Sequence, residues 1–172
     1  MSGTAPVWLR FRVGAAGAAL PLGLVREIMR CPPIVPVPGS HPQVAGVVLS
    51  GGMALPVYDL VRFDPLWSRP NRARRETSAE PAHLIVCRWG EILVGVLGDQ
   101  VDLLAGPEQG ESSEAFEGPG ELRGEFVSGV LRCQGEMVSL IDPAALFASL
   151  GVPAELNTNR HGGTREEDLA GR

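Results

Sequence analysis

Residues 7 to 13 (VWLRFRV) alternate apolar and charged with a period of two, the pattern of a strand with one buried face. The turn GAAG and the apolar run ALPLGLV follow, so the chain is predicted to open on a hairpin ending near Val25. Prolines at 32, 33, 36, 38 and 42 bar both helix and central strand between Ile34 and Pro42, and an extended loop is expected there. Two apolar runs, Val44 to Leu49 and Met53 to Val61, flank Ser50, Gly51 and Gly52 and predict a second hairpin. A third joins His83 to Cys87 with Ile92 to Leu97, and Asp99 to Leu104 continues it in extended form. The fourth joins Phe126 to Leu131 with Met137 to Ile141 through Gln134 and Gly135. Pro143 to Leu150 predicts the one helix, with Asp142 as N-cap, Pro143 in the first turn and Gly151 as the stop.

Four hairpins invite a comparison of the chain with itself. At an offset of 83, Gly46 to Leu60 matches Gly129 to Pro143, with Gly46 on Gly129, Val47 on Val130, Gly52 on Gly135 and Asp59 on Asp142. At an offset of 76, Leu9 to Val25 matches Ile85 to Val101 more weakly, with Gly14 on Gly90. The chain is thus two copies of one β unit of about five short strands, the size of a small barrel. The predicted division is a first lobe at about 7–66, a linker at 67–82 carrying Arg69, Arg72, Arg74 and Arg75, and a second lobe at about 83–150. Six glutamates among Gly, Ser and Pro at 106–125 read as a solvated loop, and 151–172 as a disordered tail.

Composition then removes most chemistry. All fifteen basic residues are arginine, so the lysines of phosphate loops, Schiff-base enzymes and kinases are absent. The net charge of −5 argues against nucleic acid as a partner, because phosphate binding requires a positive face. Glycine and proline make 37 of 172 residues, which fits a turn-rich globular chain. Cys31, Cys87 and Cys133 are odd in number and lack zinc spacing, which points to reduced thiols in the cytoplasm. Arg10 and Arg12 ahead of the apolar run Val13 to Val25 have the outline of a signal peptide. Pro21 interrupts that run, Arg26, Glu27 and Arg30 follow it, and the strand reading is preferred. No run is long enough to span a membrane, so no membrane insertion is expected.

Catalytic constellations are scarce. His41, His83 and His161 have no second ligand at metal spacing, and Ser50 lacks the strand-to-helix setting of a nucleophile elbow. Asp59 and Asp142 occupy equivalent repeat positions, which places them in separate lobes as capping carboxylates instead of an acid/base pair. Neither catalysis, a metal nor a cofactor is expected.

In order and at fitting distances, LPLGLVREIM, VPVPGSHPQVAGVVLSGGMALPVYDL, ILVGVLGDQVDLL and FVSGVLRCQGEMVSLIDPAALF resemble the CheW family of chemotaxis coupling proteins from Val7 to about Leu150. The pattern G-V-x-N-L-R-G, three residues, P-V-x-D-L is kept at Gly46, Val47, Gly52, Pro56, Val57, Asp59 and Leu60. The V-x-E-I segment is Val25, Glu27 and Ile28, and a downstream pattern is Val94, Gly95, Asp99 and Val101. The resemblance implies an all-β fold of two SH3-like five-stranded barrels with a short C-terminal helix and no enzymatic activity. It also implies two partners: the regulatory domain of the histidine kinase CheA, which shares the fold, and the chemoreceptor cytoplasmic tip. Carried over residue by residue, the receptor-side groove would comprise Val25, Glu27, Val47, Val48, Leu49, Ser50, Gly51 and Gly52. Kinase contact is expected on exposed strands of one barrel, in the first lobe.

Here the chain departs from the family: its Asn, Leu and Arg are Leu49, Ser50 and Gly51. A glycine cannot supply the planar fork with which arginine grips a carboxylate. Glu27 must then pair elsewhere, with Arg26 or Arg10 as candidates, and an altered receptor-side partner is expected. The alternative is an adaptor of the same fold in a motility or other signalling pathway, since fold does not fix function.

Overall fold

The computed structural model describes residues 7–14, 16–63, 82–105 and 125–152. Among the described residues there are nine strands: β1 (Val7–Val13), β2 (Ala16–Pro21), β3 (Val25–Arg30), β4 (Val44–Ser50), β5 (Met53–Tyr58), β6 (His83–Trp89), β7 (Ile92–Ala105), β8 (Val127–Cys133) and β9 (Glu136–Ile141). Helix α1 (Pro143–Ser149) closes the order, and short 3-10 turns occupy Leu22–Leu24 and Leu60–Phe63. The expected first hairpin is shorter than its apolar run. β2 ends at Pro21, a 3-10 turn intervenes, and Val25–Arg30 forms a separate strand paired with β6.

The strands form two five-stranded SH3-like units. Unit B runs β4-β5-β7-β6-β3 and uses β7 up to Gly98; unit A runs β8-β9-β2-β1-β7 and uses β7 from Asp99. Each unit has one parallel pair, β5 with β7 and β2 with β9. The two registers repeat at the sequence offsets. Leu9 faces Leu20 as Ile85 faces Val96, and Gly46 faces Val57 as Gly129 faces Leu140. Even the parallel pairs agree, Val57 with Gly95 and Leu140 with Ala19. The duplication is therefore present in the hydrogen bonds.

Its halves, however, are exchanged. The expected lobes, about 7–66 and 83–150, do not match the pairing: the described strands of unit B lie between Val25 and Gly98, and those of unit A between Val7 and Pro21 and between Asp99 and Ile141. The cause is visible in β7, one strand of 14 residues. At about 3.3 Å per residue it is too long for one small barrel, so it runs out of unit B into unit A without turning back. Gln100, at φ 46, sits just past the crossing, opposite the register shift between Arg10 and Arg12. In the first half the three-residue turn Leu22–Leu24 makes the same crossing, from β2 in unit A to β3 in unit B. The expected linker, acidic loop and tail lie almost wholly outside the described residues.

Burial follows this arrangement. β6 is covered on both faces from Leu84 to Cys87, and β2 is built from small residues because both of its faces are also packed. A large core joins unit A residues Leu9, Phe11, Ile141, Leu146 and Phe147 with Ile85, Cys87, Val94 and Val96 of unit B. A smaller one, Val48, Leu55, Val57, Leu84, Val86 and Leu97, fills the interior of unit B. The predicted caps form as read: Asp142 Oδ1 accepts from Ala145 N at 2.9 Å, and Asp59 Oδ1 accepts from Val61 N at 3.1 Å.

Candidate functional site

β4 and β5 meet in a two-residue turn, Gly51 and Gly52, with φ of +57° and +80°. Both angles are positive, as a twisted hairpin turn demands, and glycine adopts them without a Cβ penalty. The two faces of this hairpin differ. Val48 and Leu55 point inward at 1% and 4% exposure, while Val47, Leu49, Ala54 and Pro56 line the outer face, where Leu49 is 79% exposed. The outer face continues onto the proline-rich segment. Val35 N donates to Val47 O and Val47 N to Val35 O, both at 2.9 Å, and Val35 stays 59% exposed. A Cβ on Gly46 would approach Val35 O and lie 2.6 Å from Ile34 Cγ2, so glycine is needed where this segment crosses β4. Met53 extends the apolar surface around the tip at 61% exposure.

The expected groove residues separate in this geometry. Val47, Leu49, Ser50, Gly51 and Gly52 belong to the one hairpin. Val48 does not face a groove; it sits in the core of unit B, because strand alternation turns it away from its neighbours. Val25 packs against the large core, and Glu27 is exposed on β3, the strand at the opposite end of the unit B order from β4. Among the described residues Glu27 has no ion pair, and Arg10, one of its expected partners, is engaged in unit A. Sequence reading missed Val35 and Met53. The available signal was Val35 and Val37 alternating with prolines.

At the corresponding end of unit A the chemistry is charged. Arg10 stands where unit B has Val86 and grips Asp102 with two bonds, Nε to Oδ1 at 3.0 Å and Nη2 to Oδ2 at 2.5 Å. Its Nη1 also donates to Cys133 Sγ at 3.8 Å, and Arg12 meets Glu136 at 3.4 Å. The hydrogen-bonded carboxylate beside it raises the Arg10 pKa further above its ordinary value. A cleft of about 40 Å³ remains between these groups, lined also by Phe11, Gly17 and Gln100. Among the described residues no three His, Cys, Asp or Glu side chains are placed to hold a metal. Burial pushes the Cys87 thiol up to about 12, which leaves it without thiolate character at neutral pH.

The geometry of two exchanged SH3-like units agrees with the family comparison. A model of the CheW-like domain matches residues 8–151. The chain belongs to the CheW-like domain family. The solved structure of the scaffolding protein TtCheW from Thermoanaerobacter tengcongensis is similar in fold, with a TM-score of 0.66 over 85% of this chain and 90% of that chain, at 17% identity. No curated protein matches the sequence. At the level of the family, this chain is a non-enzymatic scaffolding domain. No described helix is long and apolar enough to cross a membrane.

Proposed function

We propose that this chain is a cytoplasmic coupling adaptor that binds the regulatory domain of CheA and a chemoreceptor cytoplasmic tip, with altered receptor-side chemistry. The observation that carries this reading is the bare β4–β5 hairpin at the family's contact motif, in a chain that keeps the family domain over 8–151. An apolar strip of this kind suits a small, reversible interface. The alteration lies in Leu49 and Gly51. Where the family places an amide and a guanidinium, the hairpin offers a leucine and an open glycine, and Glu27 is left without a described counter-charge.

Titration calorimetry with the cognate CheA regulatory domain and a receptor-tip fragment tests the reading. Binding of the kinase domain is expected, and Leu49→Asp, in the receptor-side stretch, is expected to leave it unchanged. The receptor tip is expected to bind weakly, and Gly51→Arg to strengthen it; the glycine has open space around it, so the arginine costs only the strained φ. Tight receptor binding by the parent chain that Glu27→Ala abolishes would overturn the altered-partner reading. An adaptor of this fold in a motility or other pathway is the second reading, and the same departure at Leu49 and Gly51 favours it; failure of both chemotaxis fragments to bind would select it.

A further inference from the structure

The internal duplication provides a control for the interior of each barrel. Unit B is filled by Val48, Leu55, Val57, Leu84, Val86 and Leu97. By offset and register their equivalents in unit A are Leu131, Val138, Leu140, Trp8, Arg10 and Pro21. An arginine thus enters an interior that is wholly apolar in the other unit. The next pair on that face repeats the contrast: Arg12 lies opposite Gly17 as Arg88 lies opposite Leu93. Leu93 packs on the unit B core, whereas Arg12 and Gly17 both line the cleft of about 40 Å³. A Cβ on Gly17 would lie 2.7 Å from Met137 O, so the position stays glycine and the space beside Arg12 stays open.

This cleft is short of acceptors. Arg88 Nε donates to Gly90 O at 2.8 Å, but its equivalent, Arg12 Nε, is buried with no hydrogen-bond partner. Among the described residues the one contact of the Arg12 guanidinium is Nη2 to Glu136 Oε1 at 3.4 Å, and Glu136 is 52% exposed. Arg10 commits Nε and Nη2 to Asp102 and gives Nη1 only the sulfur of Cys133, a weak acceptor. Two guanidinium groups therefore line the cleft with donors that no oxygen satisfies, and a buried donor left so is costly. We propose that the cleft binds a small carboxylate, which accepts side-on from Arg12 Nε and Nη2 as Glu136 swings out. The planar fork of arginine matches the two oxygens of such a ligand. A cation is disfavoured, because both cleft carboxylates already have arginine partners. With Glu136 withdrawn, Arg10, Arg12 and Asp102 leave a net positive charge for the anion. One water needs about 10–15 Å³ of cavity, so about 40 Å³ admits the three or four heavy atoms of formate or acetate and no larger acid. The site belongs to unit A and does not rest on the adaptor reading, which concerns the hairpin of unit B.

Heteronuclear NMR on the full chain, titrated with sodium formate or sodium acetate and with sodium chloride at matched ionic strength, tests this through the Nε–H signals of Arg10 and Arg12. A ligand this small, held by one fork, is expected to bind with a Kd of about 1 mM. Both carboxylates are expected to move the Arg12 signal to saturation, and chloride to leave it in place. Arg12→Gln and Arg12→Lys are expected to abolish the saturable shift, read in these variants at Arg10; the lysine keeps the charge and loses the fork. Arg88→Gln, at the equivalent position of unit B, is expected to leave binding unchanged. Glu136→Gln removes the competing carboxylate and is expected to tighten binding about threefold, the worth of an exposed ion pair. No shift, a shift that chloride reproduces, a saturable shift that survives in folded Arg12→Lys, or an affinity that Glu136→Gln leaves unchanged or lowers would overturn the proposal.

Discussion

Val48 and Leu49 are neighbours in sequence and opposites in role. Val48 is 1% exposed and packs in one cluster with Leu55, Val57 and Val86, whereas Leu49 is 79% exposed on the outer face of the hairpin. Val48→Ala deletes two buried methyl groups, roughly 0.8 kcal/mol each by transfer, and adds a cavity term because a five-stranded barrel relaxes only partly. The expected loss is about 2–3 kcal/mol. Leu49→Ala removes more carbon from a site already in water, and is expected to stay within about 0.5 kcal/mol of the parent. Urea unfolding followed by tryptophan fluorescence reads both, since Trp8 and Trp89 are half-buried in the two units. At a slope of about 2 kcal/mol/M the Val48→Ala midpoint falls by roughly 1 M, and thermal unfolding falls by about 5–10 °C. On the adaptor reading, receptor-tip binding is expected to show the reverse order, weakened by Leu49→Ala and retained by folded Val48→Ala. Equal midpoint losses for the two variants, or a Val48→Ala midpoint unchanged from the parent, would refute the assignment of faces.

Three further outcomes follow from the packing. Gly46→Ala forces a Cβ against Val35 O and Ile34, and is expected to destabilise unit B by more than about 2 kcal/mol, with the loss of protection at the Val35 and Val47 amides in hydrogen exchange as its local mark. Asp142→Ala removes the cap on Ala145 N and is expected to cost about 1 kcal/mol, read as a lower melting temperature; Asp142→Asn should recover most of it. Cys87, with its thiol pushed up to about 12, is expected to resist iodoacetamide in the native chain while Cys31 and Cys133 react, as mass spectrometry would show. Its folded pKa lies above the unfolded value of 9.0, so the folded state holds the proton more tightly. Stability is accordingly complete below about pH 9 and falls, by up to about 1.4 kcal/mol per pH unit, between there and about 12.

The hairpins were legible because their signals are local. Period-two alternation in β1, paired glycines at the β4–β5 turn, and Asp142 followed by Pro143 each depend on residues a few positions apart. β3 was not legible as a strand of its own. Its exposed, charged pattern carries no alternation, and its partner β6 lies more than fifty residues away. The contact stretch was read as a block from Val47 to Gly52, and only the strand's register shows that Val48 leaves that block for the core. Val35 was hidden for another reason. Prolines exclude regular structure from its segment, yet a single bridge to Val47 is enough to bring it onto the outer face.

The exchange of hairpins between units was beyond sequence reading on physical grounds. A duplicated chain presents two copies of each surface, so β6 and β7 find equivalent partners whether they pack with their own half or the other. Repeat matching records the equivalence and not the choice. What decides the choice is chain stiffness at two crossings, the unbroken β7 and the three-residue turn after Pro21. Neither leaves enough chain to reverse direction within one small barrel. The same exchange ties the two ends of the molecule to one shared core. Unit A residues such as Phe11 and Phe147 pack with Ile85 and Val96 of unit B, so the units are held together by buried apolar surface while their outer ends are free to diverge. That freedom is what Leu49 and Arg132 record: equivalent positions, one apolar and one charged, on a scaffold that constrains neither.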